Sequence, residues 1–230
     1  MRSWDASLQR LGLSRVDILF IHDFGTHGSN NEMMFGQLTR GGGFRALEEL
    51  RGAGAIAAFR LGVNEWEVCV EAAQHAKVDV ILLAGRYTLL DHTAALRQFM
   101  PMCLRGHISL VIGGVFNSGI LATGARDAGS ATYDYAPASV DIMARVRKLE
   151  AVCAAHGVRL ASAALQFVLA HPAVVSAVLG LRSSEEVAAA MVGYHEAIPD
   201  PFWHDLGGEG LIAADAPIPV ASRPVARSNL

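Results

Sequence analysis

Five short runs rich in Val, Ile and Leu, separated by stretches with helical spacing, constrain this chain more than any other feature it has. The runs at residues 16–21, 78–84, 108–112 and 174–181 do not alternate strictly between apolar and polar. Strands buried on both faces read that way. A fifth run, residues 59–63, leads into Gly62-Val63-Asn64 and is interrupted by Arg60. An unpaired guanidinium inside a sheet is costly, so either Arg60 points outward or this strand is disturbed.

The intervening segments place apolar residues on one helical face: Phe44, Leu47 and Leu50, then Ile142, Val146, Leu149 and Cys153, then Leu165, Val168 and Leu169. After residue 181 the start signal is explicit. Ser183 followed three residues on by Glu186 forms a capping box, with Val187, Met191 and Tyr194 as the apolar stripe behind it. Pro172 stops the helix before the last run. Strand and helix repeated in this way predict a parallel sheet flanked by helices, in one domain over residues 1–212 with a tail at 213–230.

Two architectures meet that description. A doubly wound sheet places a Gly-rich phosphate loop directly after its first strand, whereas here His22, Asp23 and Phe24 follow, then a long polar loop at 25–41. In a (β/α) barrel the chemistry sits at strand C-termini, and His22, Asn64, Tyr87, Asn117 and Arg182 all fall at or just after such ends. The barrel is the reading adopted.

Composition narrows function by exclusion. The formal net charge of −3 supplies no basic surface for nucleic acid or an anionic membrane. No apolar run reaches the roughly 18 residues of a membrane span, and the first residues lack the apolar centre of a signal peptide. Cys69, Cys103 and Cys153 are widely spaced and form no zinc or dithiol pair, so buried thiols in a reducing cytoplasm are expected. His27, His75 and His92 share no metal-ligand spacing, and no metal is expected.

Several phrases, taken in order, resemble one family. SLQRLGLSRVD running into ILFIHD is similar to the third helix and fourth strand of the aldo-keto reductases. ALEELRGAG, GVNEW, ILLAGRYTLLD, VIGGVFNSGIL and AVLGLRSSEEV then follow in the family's order, and the end, FWHDLGGEGLI, resembles the D-threo-aldose (L-fucose) dehydrogenase subgroup. The resemblance covers nearly all of residues 3–212. It implies strands 4 to 8 of a (β/α)8 TIM barrel with their helices, without the first three strands.

The same resemblance implies a hydride passed between a nicotinamide and a carbonyl or lactol carbon, with a sugar such as L-fucose oxidised at its anomeric carbon. His22 matches the family's substrate-orienting histidine. The family's catalytic aspartate, tyrosine and lysine precede this stretch, and Tyr87, Tyr133, Tyr135 and Tyr194 do not match that motif. Asn64 matches a side chain that bonds the nicotinamide carboxamide, while Glu65 stands where the family has asparagine. Gly113 replaces a tyrosine on which many relatives stack the ring. Gly114, Phe116, Asn117 and Ser118 match the loop around the pyrophosphate, and Gly180, Arg182, Ser183 and Glu186 match the turn and helix start that hold the adenosine phosphate. NAD or NADP is therefore the expected cofactor, with NAD favoured because a carboxylate at Glu186 repels a 2′-phosphate.

Five strands of eight leave two open sheet edges, through which the chain would self-associate. An active sugar dehydrogenase and an inactive fragment that at most binds dinucleotide or a protein partner both fit these residues. So do a truncated gene product, a start codon placed too late, and a partner that supplies the first units.

Overall fold

The computed structural model describes residues 2–22, 24–25, 31–125 and 131–219. Asp23, His27, most of the first half of the loop at 25–41, and the tail from 220 lie outside the described residues. In chain order the elements are α1 (Arg2–Leu11), β1 (Ile18–His22), α2 (Asn31–Leu38), α3 (Gly43–Gly52), β2 (Ala58–Val63), α4 (Trp66–Ala72) and β3 (Val80–Ala84). A π-helical turn (Ala95–Phe99) runs into α5 (Met100–Arg105), then come β4 (Ser109–Gly113), a 3₁₀ turn (Asn117–Gly119) and α6 (Ile120–Thr123). The short strands β5 (Thr132–Tyr133) and β6 (Ala136–Pro137) form a hairpin, and α7 (Val140–His156), α8 (Leu160–Leu169), β7 (Val174–Ala177), α9 (Ser184–His195) and α10 (Asp200–Gly208) complete the chain.

Strands β1, β2, β3, β4 and β7 make one parallel sheet in that order, each next to the strand that follows it in the sheet. Phe59, Leu61, Ile81, Leu83, Leu110 and Ile112 are buried under helices on one face, joined there by the expected helical residues Phe44, Leu47, Val146, Leu149, Leu165 and Val168. The opposite face is only half-covered. A Cβ added at Gly62 would meet His22 at 3.5 Å and Phe20 at 3.7 Å, and one at Gly113 would meet Leu82 at 3.3 Å and Ala84 at 3.5 Å. These side chains therefore share one face, on which Ile18 is 43% and Phe20 42% exposed.

The expected strands are present, with shifts at both sheet edges. The run at 16–21 was expected to be buried on both faces, yet β1 alternates between exposed residues on the half-covered face (Ile18, Phe20, His22) and half-buried ones packed on the core (Leu19, Ile21). The last run pairs only over Val174–Ala177. Beyond it, Val178 N–H still donates to the Ile112 carbonyl at 2.8 Å, after which the backbone leaves the sheet. Arg60 does not disturb its strand. The register from Ile18↔Ala58 to His22↔Gly62 is unbroken, and burial of Phe59 and Leu61 beneath the helices turns Arg60 to the face of Phe20 and His22.

α7 is bounded as its sequence requires, with Ser139 Oγ accepting the Ile142 N–H at one end and Gly157 in the left-handed region at the other. The three cysteines are free and buried, and burial pushes the Cys103 and Cys153 thiols up to about 12. No helix among the described residues is long and apolar enough to cross a membrane. The stretch from Leu211 to Ala216 packs onto the core. His92 Nε2 accepts the Ala213 N–H at 3.0 Å while Nδ1–H donates to the Thr88 carbonyl at 2.8 Å, and Arg145 donates to the Leu211 carbonyl at 2.8 Å. Burial pushes the His92 imidazole below its ordinary pKa, consistent with a neutral ring serving both bonds.

Candidate cofactor and substrate site

At the C-terminal end of the sheet the chain turns sharply after β4. Gly113 lies beside Ala84 in the ladder, and Gly114 follows with φ +60°. A Cβ at Gly114 would lie 2.9 Å from the Gly85 backbone nitrogen, so only glycine lets the two loops touch. Asn117 N–H donates to the Gly114 carbonyl (2.9 Å), Gly119 N–H to Phe116 (3.0 Å), and the Asn117 side-chain amide to the Gly85 carbonyl (3.3 Å). The buried Asn117 Oδ1 has no hydrogen-bond partner among the described residues.

This turn is clamped by the β5–β6 hairpin. Thr132 Oγ1 donates to the Ser118 carbonyl at 2.8 Å, and Tyr135 N–H donates to Ser118 Oγ at 3.0 Å. Arg86, from the loop after β3, holds the hairpin through both oxygens of Asp134 at 3.1 and 3.0 Å. Asn117, Ser118, Asp134 and Tyr135 are four of the five described non-glycine residues with positive φ, and all four meet at this joint. Such conformations cost on the order of 1–3 kcal/mol each and persist where surrounding contacts over-determine them, often at ligand sites.

Across from the turn, the chain leaving β7 enters α9. Ser183 Oγ accepts the Glu186 N–H at 3.2 Å, as the capping box requires. The carboxylate does not bond the cap residue's own N–H; it accepts the Arg182 N–H at 2.7 Å and the Arg182 guanidinium at 3.2 Å. The bond from the Arg182 backbone holds the Glu186 carboxyl below its ordinary pKa. Glu185 is held low as well, first by the Ser183 side chain, so the first turn of α9 presents two ionised carboxylates.

Between turn and helix lies a cleft of about 860 Å³. It brings together Gly114, Phe116, Ser118, Gly180, Arg182 and Glu186 of the residues singled out in the sequence. Gly113, Asn117 and Ser183 support its walls without lining it. The cleft's remaining wall includes Leu165, read in the sequence only as part of an apolar helix face, and Thr132, Arg159 and Ser162, which no local sequence signal marks. A long, partly polar cleft with backbone turns at both ends has the size and chemistry to hold an extended phosphate-linked ligand.

His22 and Asn64 stand elsewhere on the same sheet end. His22 closes β1 in register with Gly62, and three strand spacings, roughly 14 Å, separate β1 from β4. Glu65 is buried at the start of α4 with its carboxylate against Gly25, where an added Cβ would lie 2.9 Å away. Among the described residues no group of three or more metal-ligating side chains converges. Tyr87 is fully buried, stacked on Phe167 at 5.6 Å, with no hydrogen-bond partner for its hydroxyl among the described residues and burial pushing its pKa up.

The model of the aldo/keto reductase family matches residues 1–204. The chain is 48% identical to pyridoxal 4-dehydrogenase of Microbacterium luteolum over 215 residues, which is 93% of this chain and 62% of that protein. It is 33% identical to D-threo-aldose 1-dehydrogenase of a Pseudomonas species over 212 residues, 90% of this chain and 60% of that protein. An aldo-keto reductase of Bacillus halodurans, solved in apo and holo forms, superposes with a TM-score of 0.68 at 20% identity, covering 93% of this chain and 68% of the apo chain. The chain thus spans about 60% of the length of the two curated relatives.

Proposed function

The chain belongs to the aldo/keto reductase family, and from that membership we propose that it carries the coenzyme cleft and the substrate-orienting histidine of an NAD-dependent oxidoreductase acting on small aldehydes and their ring hemiacetals. Its strands are then strands 4 to 8 of a (β/α)8 barrel, with the half-covered sheet face as part of the lumen. The observation that carries the reading is the cleft between the strained turn at Gly114–Ser118 and the start of α9.

The residues fit a dinucleotide. The close approach at Gly114 lets backbone meet ligand, the orphaned Asn117 Oδ1 is an acceptor awaiting a donor, and the turn is held rigid by Thr132 and Tyr135. When bound, the dinucleotide supplies the hydride acceptor. Phe116 and Ser118 would hold its phosphates, Arg182 and Glu186 its adenosine ribose, and Asn64 the carboxamide. Glu186 suits a ribose hydroxyl that donates to it, whereas a 2′-phosphate would meet two carboxylates and an arginine already committed to one of them. NAD is favoured for that reason.

Pyridoxal and the D-threo-aldoses share one chemical feature: a hydroxyl placed to add to the molecule's own aldehyde. Each therefore forms a ring hemiacetal, whose carbon gives up a hydride while its hydroxyl gives up a proton, leaving a lactone. His22 would orient that oxygen. The higher identity to pyridoxal 4-dehydrogenase makes a flat pyridine aldehyde the leading substrate and a sugar such as L-fucose the next.

A second reading, a chain that binds dinucleotide without chemistry, is favoured by the absence of any tyrosine or lysine beside His22 among the described strand residues of that face. Titration by cofactor fluorescence tests the cleft. NADH is expected to bind at least tenfold more tightly than NADPH, a difference of about 1.4 kcal/mol, and Glu186→Arg is expected to remove or reverse that preference. Equal affinity for both cofactors, or no binding at millimolar concentration, would contradict the assignment.

A further inference from the structure

His92 does not line the cleft, yet it is 2% exposed and bonded at both ring nitrogens. A backbone N–H can only donate, so the Ala213 bond at 3.0 Å makes Nε2 an unprotonated acceptor, and Nδ1–H is then the donor to the Thr88 carbonyl at 2.8 Å. The neutral ring thus ties the loop after β3 to the stretch Leu211–Ala216, 121 residues further along the chain. That stretch has two other polar ties, from Arg145 to the Leu211 carbonyl at 2.8 Å and between Asp215 and Arg97 at 3.4 Å.

A protonated ring carries two N–H donors, one of which would face the Ala213 N–H, and a buried charge would replace a satisfied acceptor. The charged groups around it do not offset this. Arg145 of α7 opposes a second positive charge, while Asp215 favours one but is itself engaged by Arg97. On the ring's own loop Asp91 faces Arg86 at 3.8 Å, and from α8 the neighbour is the uncharged Phe167, edge-to-face at 5.0 Å.

We propose that His92 is an acid-released latch: its neutral ring holds the stretch Leu211–Ala216 on the loop after β3, and protonation frees that stretch while the sheet stays folded. The loop it grips also carries Gly85, which touches Gly114, and Arg86, which holds the hairpin, but the latch involves no dinucleotide and is independent of the coenzyme assignment. The sign follows from linkage. In the freed state the ring returns towards its ordinary pKa of about 6.5, whereas burial lowers it in the latched state. The freed state takes up the proton first, so the hold weakens as pH falls below about 6.5, by up to about tenfold per pH unit until the latched ring itself titrates.

Exchange of the Ala213 amide, followed by NMR and corrected for the intrinsic pH dependence of exchange, provides the test. From about pH 7 to about pH 5 its protection is expected to fall at least about tenfold, while that of the fully buried Ile81 and Leu83 in β3 is unchanged. His92→Gln keeps a donor for Thr88 and an acceptor for Ala213 without a titrating proton, so Ala213 is expected to stay protected at both pH values. In His92→Ala it is expected to be unprotected at both. Equal protection of Ala213 at the two pH values in the unaltered chain, the same loss in His92→Gln, or a loss that occurs only together with Ile81 and Leu83 would overturn the proposal. Should the variants fail to fold, the unaltered chain decides it: loss of Ala213 protection is expected to track the titration of the His92 ring resonances, and loss at a different pH would overturn it.

Discussion

The purified 230-residue chain is expected to bind NADH yet to reduce NAD⁺ in the presence of pyridoxal or L-fucose no faster than a protein-free blank. Hemiacetal oxidation requires a group that takes the hydroxyl proton as the hydride leaves, and a positioned acid/base contributes roughly 10²–10⁴-fold to the rate. Neither lysine of the chain is placed for it: the Lys77 side chain is 80% exposed beside Asp79, and Lys148 lies exposed on α7. The tyrosines are no better placed. Tyr87 is buried on the helix side with its pKa pushed up, Tyr133 and Tyr135 belong to the hairpin, and Tyr194 is on α9. In its proposed role His22 orients an oxygen, and no tyrosine or lysine stands beside it among the described strand residues of that face to take the proton. Turnover by the isolated chain that disappears in His22→Ala would refute this.

Replacing Gly114 by valine is expected to destabilise the protein by about 2–6 kcal/mol and to abolish dinucleotide binding at the same time. Two costs add. A β-branched residue at φ +60° is strained by roughly 1–3 kcal/mol, and its Cβ, 2.9 Å from the Gly85 nitrogen, overpacks a backbone contact at roughly 1–3 kcal/mol more. Against a total stability of about 5–15 kcal/mol the loss is large. Urea unfolding followed by circular dichroism measures the first part and cofactor fluorescence the second. A Gly114→Val protein that unfolds at the same urea concentration as the unaltered chain would show that the Gly85–Gly114 approach is not constrained.

Much of the fold was legible because strands and amphipathic helices announce themselves locally. The runs at 59–63, 78–84 and 108–112 became β2, β3 and β4, and Ser183 capped α9 as its spacing to Glu186 indicated. What periodicity does not supply is a partner. Val187, Met191 and Tyr194 form an apolar stripe in sequence, yet they stand 47%, 54% and 40% exposed, since an apolar face says nothing about whether another element covers it. The anchors of the cleft proposed to hold the coenzyme were illegible for a different reason. Arg86 and Asp134 are 48 residues apart, and Thr132 meets Ser118 across 14, so no local pattern links them. Arg60 was visible as a cation inside an apolar run, and only strand register shows which face it occupies.

The coenzyme cleft is the central assignment, and amide chemical shifts on titration with NAD⁺ test it most directly. The prediction is that shifts concentrate at Gly114–Gly119 and Ser183–Glu186, the two walls of the cleft, while the separate hollow lined by Phe35, Val68 and His75 stays unchanged. Shifts confined to that hollow, or none at either wall at saturating NAD⁺, would contradict it.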